Sequence, residues 1–155
     1  MNATTNQQTQ LSTLLWAVVD FCQNRGSKNT SIHGMERQQL FRYVSFCYFA
    51  GKLACSWENN QLEAVVFYWP DFRERIESNY EEGRSQFAWE KVRKGDSMFI
   101  ADVIGSRKSV AKGYQALIEK FPHVISVPMF TYRHGKLVQL YGKQLERFLF
   151  GKEIH

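Results

Sequence analysis

The residues with the clearest capacity for chemistry are a histidine and an aspartate, His33 and Asp102. A histidine side chain changes charge near neutral pH, so it can take a proton from an amine or carry a transferred group. Asp102 stands inside the apolar run 98–104, where a carboxylate is costly to bury unless it is hydrogen-bonded or paired. A carboxylate beside an imidazole would orient the ring and stabilise its cation. The alternatives are a surface histidine at a helix start and a structural ion pair for Asp102.

A second candidate group follows the strand that carries Asp102. The pattern predicts a strand at 97–104, a break at Gly105, and a helix over 109–121 that Pro122 ends. A loop of small residues before a helix presents backbone N–H groups and cations to an anion. The candidates for binding a phosphate or an acidic surface there are Arg107, Lys108, Ser109 and Lys112. The alternative is a solvated helix start in which the serine only caps the helix.

The elements that must position these residues can be read from hydrophobic periodicity. Helices are predicted at 11–24, 35–50, 109–121 and 144–150, with a short helix or loop at 70–79 and a helical turn at 87–92. Strands are predicted at 52–57, 62–69, 97–104, 123–132 and 136–141, the first two joined as a hairpin. Residues 1–10 are predicted to be a disordered polar tail and 11–155 a single domain. The fold class is therefore α+β, with a mixed central sheet flanked by helices.

Composition limits the class of protein. The chain has 155 residues, of which 44% are hydrophobic, so it can bury one core. The net charge of +5 suits an acidic partner but is too mild to indicate nucleic acid. No apolar run is long enough to span a membrane, and no signal peptide is evident, so we expect a cytoplasmic protein.

The cysteines and the other histidines give no sign of a metal site. Cys22, Cys47 and Cys55 lie in apolar runs without the short spacing of metal ligands, which favours buried free thiols in a reducing compartment. His123 and His134 have no partner at metal-ligand spacing. The sequence therefore predicts neither a metal nor a resident cofactor.

Most of the chain, from Ser31 to about Lys143, resembles the RTX toxin-activating lysine acyltransferases, a branch of proteins with the GNAT acyltransferase fold. Asp102 lies 69 positions after His33 and 20 before Pro122, the spacing expected for that family without gaps. The matching segments are Ser31-Ile32-His33, Gly95-Asp96, Phe99-Ile100-Ala101-Asp102, Glu119-Lys120-Phe121-Pro122 and Gly135-Lys136-Leu137-Val138. The sequence departs from the family at Val103, where an aromatic residue is usual, and in the loop 105–108.

The resemblance implies a function and a fold. Family members transfer a fatty acyl group from acyl carrier protein to a lysine of a protoxin, so His33 would be the base or acyl relay and Asp102 its partner. Acyl carrier protein would be the donor, with acyl-CoA second, and a protein lysine the acceptor. The implied fold is a single GNAT-like domain, and exposed aromatic residues permit a homodimer. Because the loop 105–108 departs from the family, we expect the acyl donor of this protein to differ from that of family members.

An alternative hypothesis is that the protein has the same fold but is a binding module without catalytic activity. In it, the cations Arg107, Lys108 and Lys112 form a basic module that binds an acidic protein or nucleic acid. Thioester turnover that depends on His33 and Asp102 would favour the enzyme. Salt-sensitive binding without turnover would favour the module.

Overall fold

The computed structural model describes residues 3–26, 30, 32–81, 95–106, 108–133 and 136–150. The helices are α1 (Ala3–Arg25), α2 (Arg37–Phe49), α3 (Arg73–Glu81), α4 (Val110–Lys120) and α5 (Gly142–Phe150), with a short 3-10 helix at Pro122–Ser126. The strands are β1 (Leu53–Glu58), β2 (Gln61–Asp71), β3 (Ser97–Gly105), β4 (Met129–Arg133) and β5 (Lys136–Leu140). Among these helices, none is both long and apolar enough to cross a membrane.

The five strands form one mixed sheet in the order β1-β2-β3-β4-β5. Neighbours pair antiparallel except β3 and β4, which are parallel and are connected through α4. The β1–β2 hairpin turns at Asn59 and Asn60, which have φ values of 52° and 62°. Asparagine tolerates this left-handed conformation better than most residues, so the hairpin predicted from the sequence is confirmed.

The sheet lies between two apolar layers. One is a cluster of α1 and α2 side chains, such as Val19 and Val44, against Phe67 and Phe99 of the sheet. The other is formed by α4, the 3-10 helix and α5, with Leu117 at its centre. Helices therefore cover both faces of the sheet. The predicted α+β class with a mixed central sheet flanked by helices is confirmed, and the fold is compatible with a single GNAT-like domain.

Strand β3 contains a bulge that changes the direction of its side chains. Phe67 of β2 pairs with Asp102, but Tyr68 pairs with Ile100, so Ala101 is an extra residue. Simple alternation from Ile100, which packs in the α4 layer, would put Asp102 in that layer too. The bulge shifts the alternation by one residue and turns Asp102 to the side of Phe67, which is the α1–α2 side.

Strands β3 and β4 separate soon after they begin to pair. Their register pairs are Met98 with Met129, Phe99 with Phe130, and Ile100 with Thr131, whose hydroxyl donates to the Ile100 carbonyl over 2.9 Å. Strand β3 continues to Gly105 without a further β4 pair among the described residues. Within the described part of the chain, no strand pairs with this side of β3 from Ala101 onward.

Two predictions about the elements were wrong. The polar tail predicted to be disordered forms the first turns of α1, which begins at Ala3. Helix propagation from an apolar segment costs little once the nucleus exists, and exposed Gln and Thr tolerate it. The strand predicted from His123 is instead a 3-10 helix at Pro122–Ser126, which begins with proline at a helix start, and β4 begins only at Met129. The helical turn predicted at 87–92 lies outside the described residues.

Candidate functional site

His33 lies in the turn that connects α1 to α2. Its backbone N–H donates to the Thr30 carbonyl over 3.2 Å, and Met35 donates in the same way to Ile32 over 3.1 Å. Gly34 follows with a φ of 83°, which glycine adopts without strain. The buried side chain of Ile32 anchors the turn in the core while His33 is exposed. The turn thus fixes the backbone and leaves the imidazole accessible.

His33 is one of the residues that line a pocket of about 210 Å³. The pocket lies between the last turns of α1, the turn itself and the start of α2. Its lining combines polar groups with apolar side chains from these three segments: Cys22, Gln23, Gly26, Thr30, Ile32, His33, Gly34, Met35 and Leu40. Cys22 and Leu40 are buried, so they form the apolar floor. The pocket can hold a small part of a ligand against the imidazole.

Asp102 is buried, with 6% of its surface exposed, and lies just past the bulge in β3. Its negative charge acts on ionisable side chains of α1 and α2. Burial raises the pKa of Cys22, and the charge of Asp102 adds to this shift. Burial raises the pKa of Tyr43, and Cys47 and then the charge of Asp102 add to this shift. Asp102 therefore faces the helix layer that carries the His33 turn.

The His33 turn and Asp102 lie on the same side of the sheet, which α1 and α2 cover. Cys22 lines the same pocket as His33, and Asp102 is one of the charges that raise the Cys22 pKa, after burial and Cys55. No hydrogen bond or ion pair joins His33 directly to Asp102 within the described residues. Ser31, next to His33, lies outside the described residues.

The loop after β3 uses its polar groups internally. Ser109 is buried, its hydroxyl lies 3.0 Å from that of Ser106, and it donates to the Ser106 carbonyl over 3.1 Å. Lys112 forms an ion pair with Glu58 of the β1–β2 turn. Lys108 is exposed, and Arg107 lies outside the described residues. Of the four predicted anion ligands, two are thus engaged elsewhere in the chain and Lys108 faces solvent.

The cysteines are free thiols, as predicted, and two of the three are buried. Burial raises the pKa of Cys47 to about 12 and that of Cys55 to about 11. These thiols stay protonated at neutral pH and are poor nucleophiles. Cys22 as the pocket floor was missed by sequence reasoning, which placed it only in the apolar stripe of α1.

Metal binding finds no support in the described ranges, where no three His, Cys, Asp or Glu side chains come together. The site consists of an exposed imidazole over a pocket, a buried carboxylate in the same layer and the open side of β3. In comparisons with known proteins, the chain matches no family model, no curated protein sequence and no solved structure.

Proposed function

We propose that this protein transfers an acyl group from a thioester to a lysine side chain of another protein, with His33 as base or relay and Asp102 as its carboxylate partner. The donor is acyl carrier protein, with acyl-CoA second. The observation that carries the proposal is the placement of Asp102. A bulge turns this buried acid to the α1–α2 side of the sheet, the side on which His33 and Cys22 line a pocket.

The chemistry of amide formation explains the residues. Only an uncharged amine attacks a thioester carbonyl, and a lysine is largely ammonium at neutral pH. His33 takes a proton from the lysine nitrogen, the C–N bond forms, and the C–S bond breaks. The departing sulfur takes a proton and leaves as a free thiol. If the imidazole carries the acyl group first, the same bonds form and break in two steps. Asp102 stabilises the positive charge that develops on the imidazole.

The open side of β3 supports an extended donor. Neighbouring residues of an antiparallel strand bond alternately to either side. The Tyr68 N–H donates to the carbonyl of Lys52, just before β1, so Phe67 and Val65 direct their backbone groups to the other side, where they pair with Asp102 and Ile104 of β3. Val103 and Gly105 then direct their backbone groups to the side from which β4 has separated. An arm with amide groups, such as phosphopantetheine, can pair with them as an added strand does.

The alternative of a basic binding module has less support. Its patch depended on Arg107, Lys108 and Lys112, and Lys112 is neutralised by Glu58. Lys108 is exposed, and Arg107 lies outside the described residues.

The test is an acyl-transfer assay with purified acyl carrier protein loaded with defined fatty acyl chains, and with acyl-CoA in parallel. The acceptor is a set of lysine-containing peptides together with the protein's own lysines. Amide products resist hydroxylamine, whereas thioesters do not. We expect His33→Ala and Asp102→Asn to lower the transfer rate by roughly 100-fold or more, the usual range for loss of a general base or its partner.

The matched control is His123→Ala, because His123 is also an exposed histidine but lies on the 3-10 helix in the other layer. Circular dichroism of each variant separates loss of activity from loss of folding. If turnover survives in folded His33→Ala, the catalytic assignment is wrong. If no donor is turned over and binding to acyl carrier protein falls steeply with salt, the basic module is favoured instead.

A further inference from the structure

Strand β1 is an edge of the sheet formed by the described residues, where β2 is its one paired neighbour. Two observations identify the backbone groups on its outer side. The Lys52 carbonyl accepts from Tyr68 of β2 over 3.1 Å, so Lys52, Ala54, Ser56 and Glu58 bond inward. The Leu53 carbonyl instead accepts from the ammonium of Lys120 over 2.6 Å. Leu53, Cys55 and Trp57 therefore direct their N–H and C=O groups outward.

The sequence of this edge complements itself when it is read antiparallel about Cys55. Leu53 then stands opposite Trp57 of a second copy, and Cys55 stands opposite Cys55. All three resulting pairs have outward backbone groups, so roughly six hydrogen bonds can form across the edge. The next pair outward is Lys52 opposite Glu58, once on each side of the axis. Opposite charges at directly opposed positions stabilise a strand pair, and like charges destabilise it.

The side chains of the edge agree with this arrangement. Trp57 is 44% exposed, whereas Leu53, four residues earlier on the same face of β1, is buried. In the antiparallel pair, the indole of each copy lies against the Leu53 position of the other. Phe49, which is 69% exposed, ends α2 shortly before β1 begins. Apolar surface is thus available beside the hydrogen-bonding edge, and its burial on pairing is favourable.

We infer that this protein forms a homodimer through antiparallel pairing of β1 with β1 of a second copy, about an axis at Cys55. The two sheets become one continuous sheet, with Lys52 of each copy facing Glu58 of the other. This interface is independent of the proposed acyl transfer, because no residue assigned to that reaction lies on β1.

Lys120 competes with this pairing. Its ammonium occupies the outward carbonyl of Leu53, which in the dimer accepts from the backbone of Trp57 of the second copy. A lysine over an exposed edge is a common way in which proteins limit edge pairing. The dimer therefore forms only when Lys120 moves aside, and its removal strengthens the pairing.

Sedimentation analysis over a range of protein concentrations tests the inference through charge reversal. Lys52→Glu and Glu58→Lys each create two like-charge pairs, so we expect each to raise the Kd for dimerisation by about tenfold. The double variant Lys52→Glu with Glu58→Lys restores opposite charges and returns the Kd toward the wild-type value. Lys120→Ala lowers the Kd.

Lys143→Ala is the matched control, since it removes an exposed lysine of α5, away from β1 and its ion pairs; its Kd should stay that of the wild type. Circular dichroism checks that each variant is folded. A wild-type protein that stays monomeric at concentrations of several hundred micromolar, with Lys120→Ala also monomeric, overturns the inference. So does a dimer that both single reversals leave unchanged.

Discussion

Two acids are buried along the sheet, and their surroundings differ. Asp102 faces the thiols and the phenol of the α1–α2 layer. Asp71, fully buried at the end of β2, accepts from the Phe72 N–H over 2.7 Å and faces Arg75 at 3.4 Å, both through Oδ1. Its Oδ2 has no hydrogen-bond partner within the residues that the structure covers. Loss of hydration raises the pKa of Asp71, and the Phe72 and Arg75 contacts offset this only in part.

This makes the stability contributed by Asp71 depend on pH. The folded state holds the Asp71 proton more tightly than the unfolded chain, whose ordinary pKa is 3.8. The contribution is therefore complete below that value and is lost as pH rises through the raised folded pKa. Asp71→Asn cannot ionise, so its free energy of unfolding relative to wild type should increase from about pH 4 toward neutrality. Urea titrations at several pH values measure it.

Glu74→Gln is the control for that series, because Glu74 is an exposed acid on the neighbouring helix α3. Its difference from wild type should vary little with pH. Parallel curves for Asp71→Asn and the wild type would show that Asp71 ionises normally.

At the scale of elements, the sequence predicted best where periodicity is strong. The predicted strand at 97–104 and helix at 109–121 match β3 and α4 within a residue at each end. The segment at 123–127 was misassigned because its valines and isoleucine favour a strand, yet Pro122 starts a 3-10 helix there. The sequence could not predict the bulge that turns Asp102 to the α1–α2 side, because the bulge depends on pairing with β2, which local sequence does not encode.

Helix α5 depends on a close approach that only glycine allows. A Cβ atom on Gly142 would overlap the backbone of Ile125 in the 3-10 helix. Gly142→Ala must therefore displace the start of α5, and we expect a loss of roughly 1–3 kcal/mol in the free energy of unfolding. Thermal or urea unfolding measures it.

Lys143→Ala, at the adjacent exposed position of the same helix, serves as the control and should change stability by less than about 0.5 kcal/mol. Equal stability of Gly142→Ala and the control would mean that the contact between α5 and the 3-10 helix yields without cost.

At the scale of the whole molecule, the sheet separates two layers, and the thiols report on the integrity of one of them. Cys22, Cys47 and, in part, Cys55 pack in the α1–α2 layer, where burial raises the thiol pKa values. A thiol reagent that needs thiolate should therefore react slowly with the native protein at pH 8 and with all three cysteines in denaturant. Reaction followed by absorbance against denaturant concentration should coincide with unfolding followed by circular dichroism.

A Cys55→Ser variant distinguishes the half-buried thiol from the other two. Rapid native labelling of Cys22 or Cys47 in that variant would mean that the α1–α2 layer opens locally without global unfolding.

The extra residue at Ala101 divides β3 into two halves in which odd- and even-numbered side chains exchange the layers that they face. Before it, Met98 and Ile100 pack in the α4 layer and Phe99 in the other; after it, Val103 packs in the α4 layer and Ile104 in the other. Polar substitutions at even-numbered positions of β3 should therefore disturb packing of the α4 layer when they precede Ala101 and packing of the α1–α2 layer when they follow it. The single extra residue thus determines which helices pack over the Asp102 side chain.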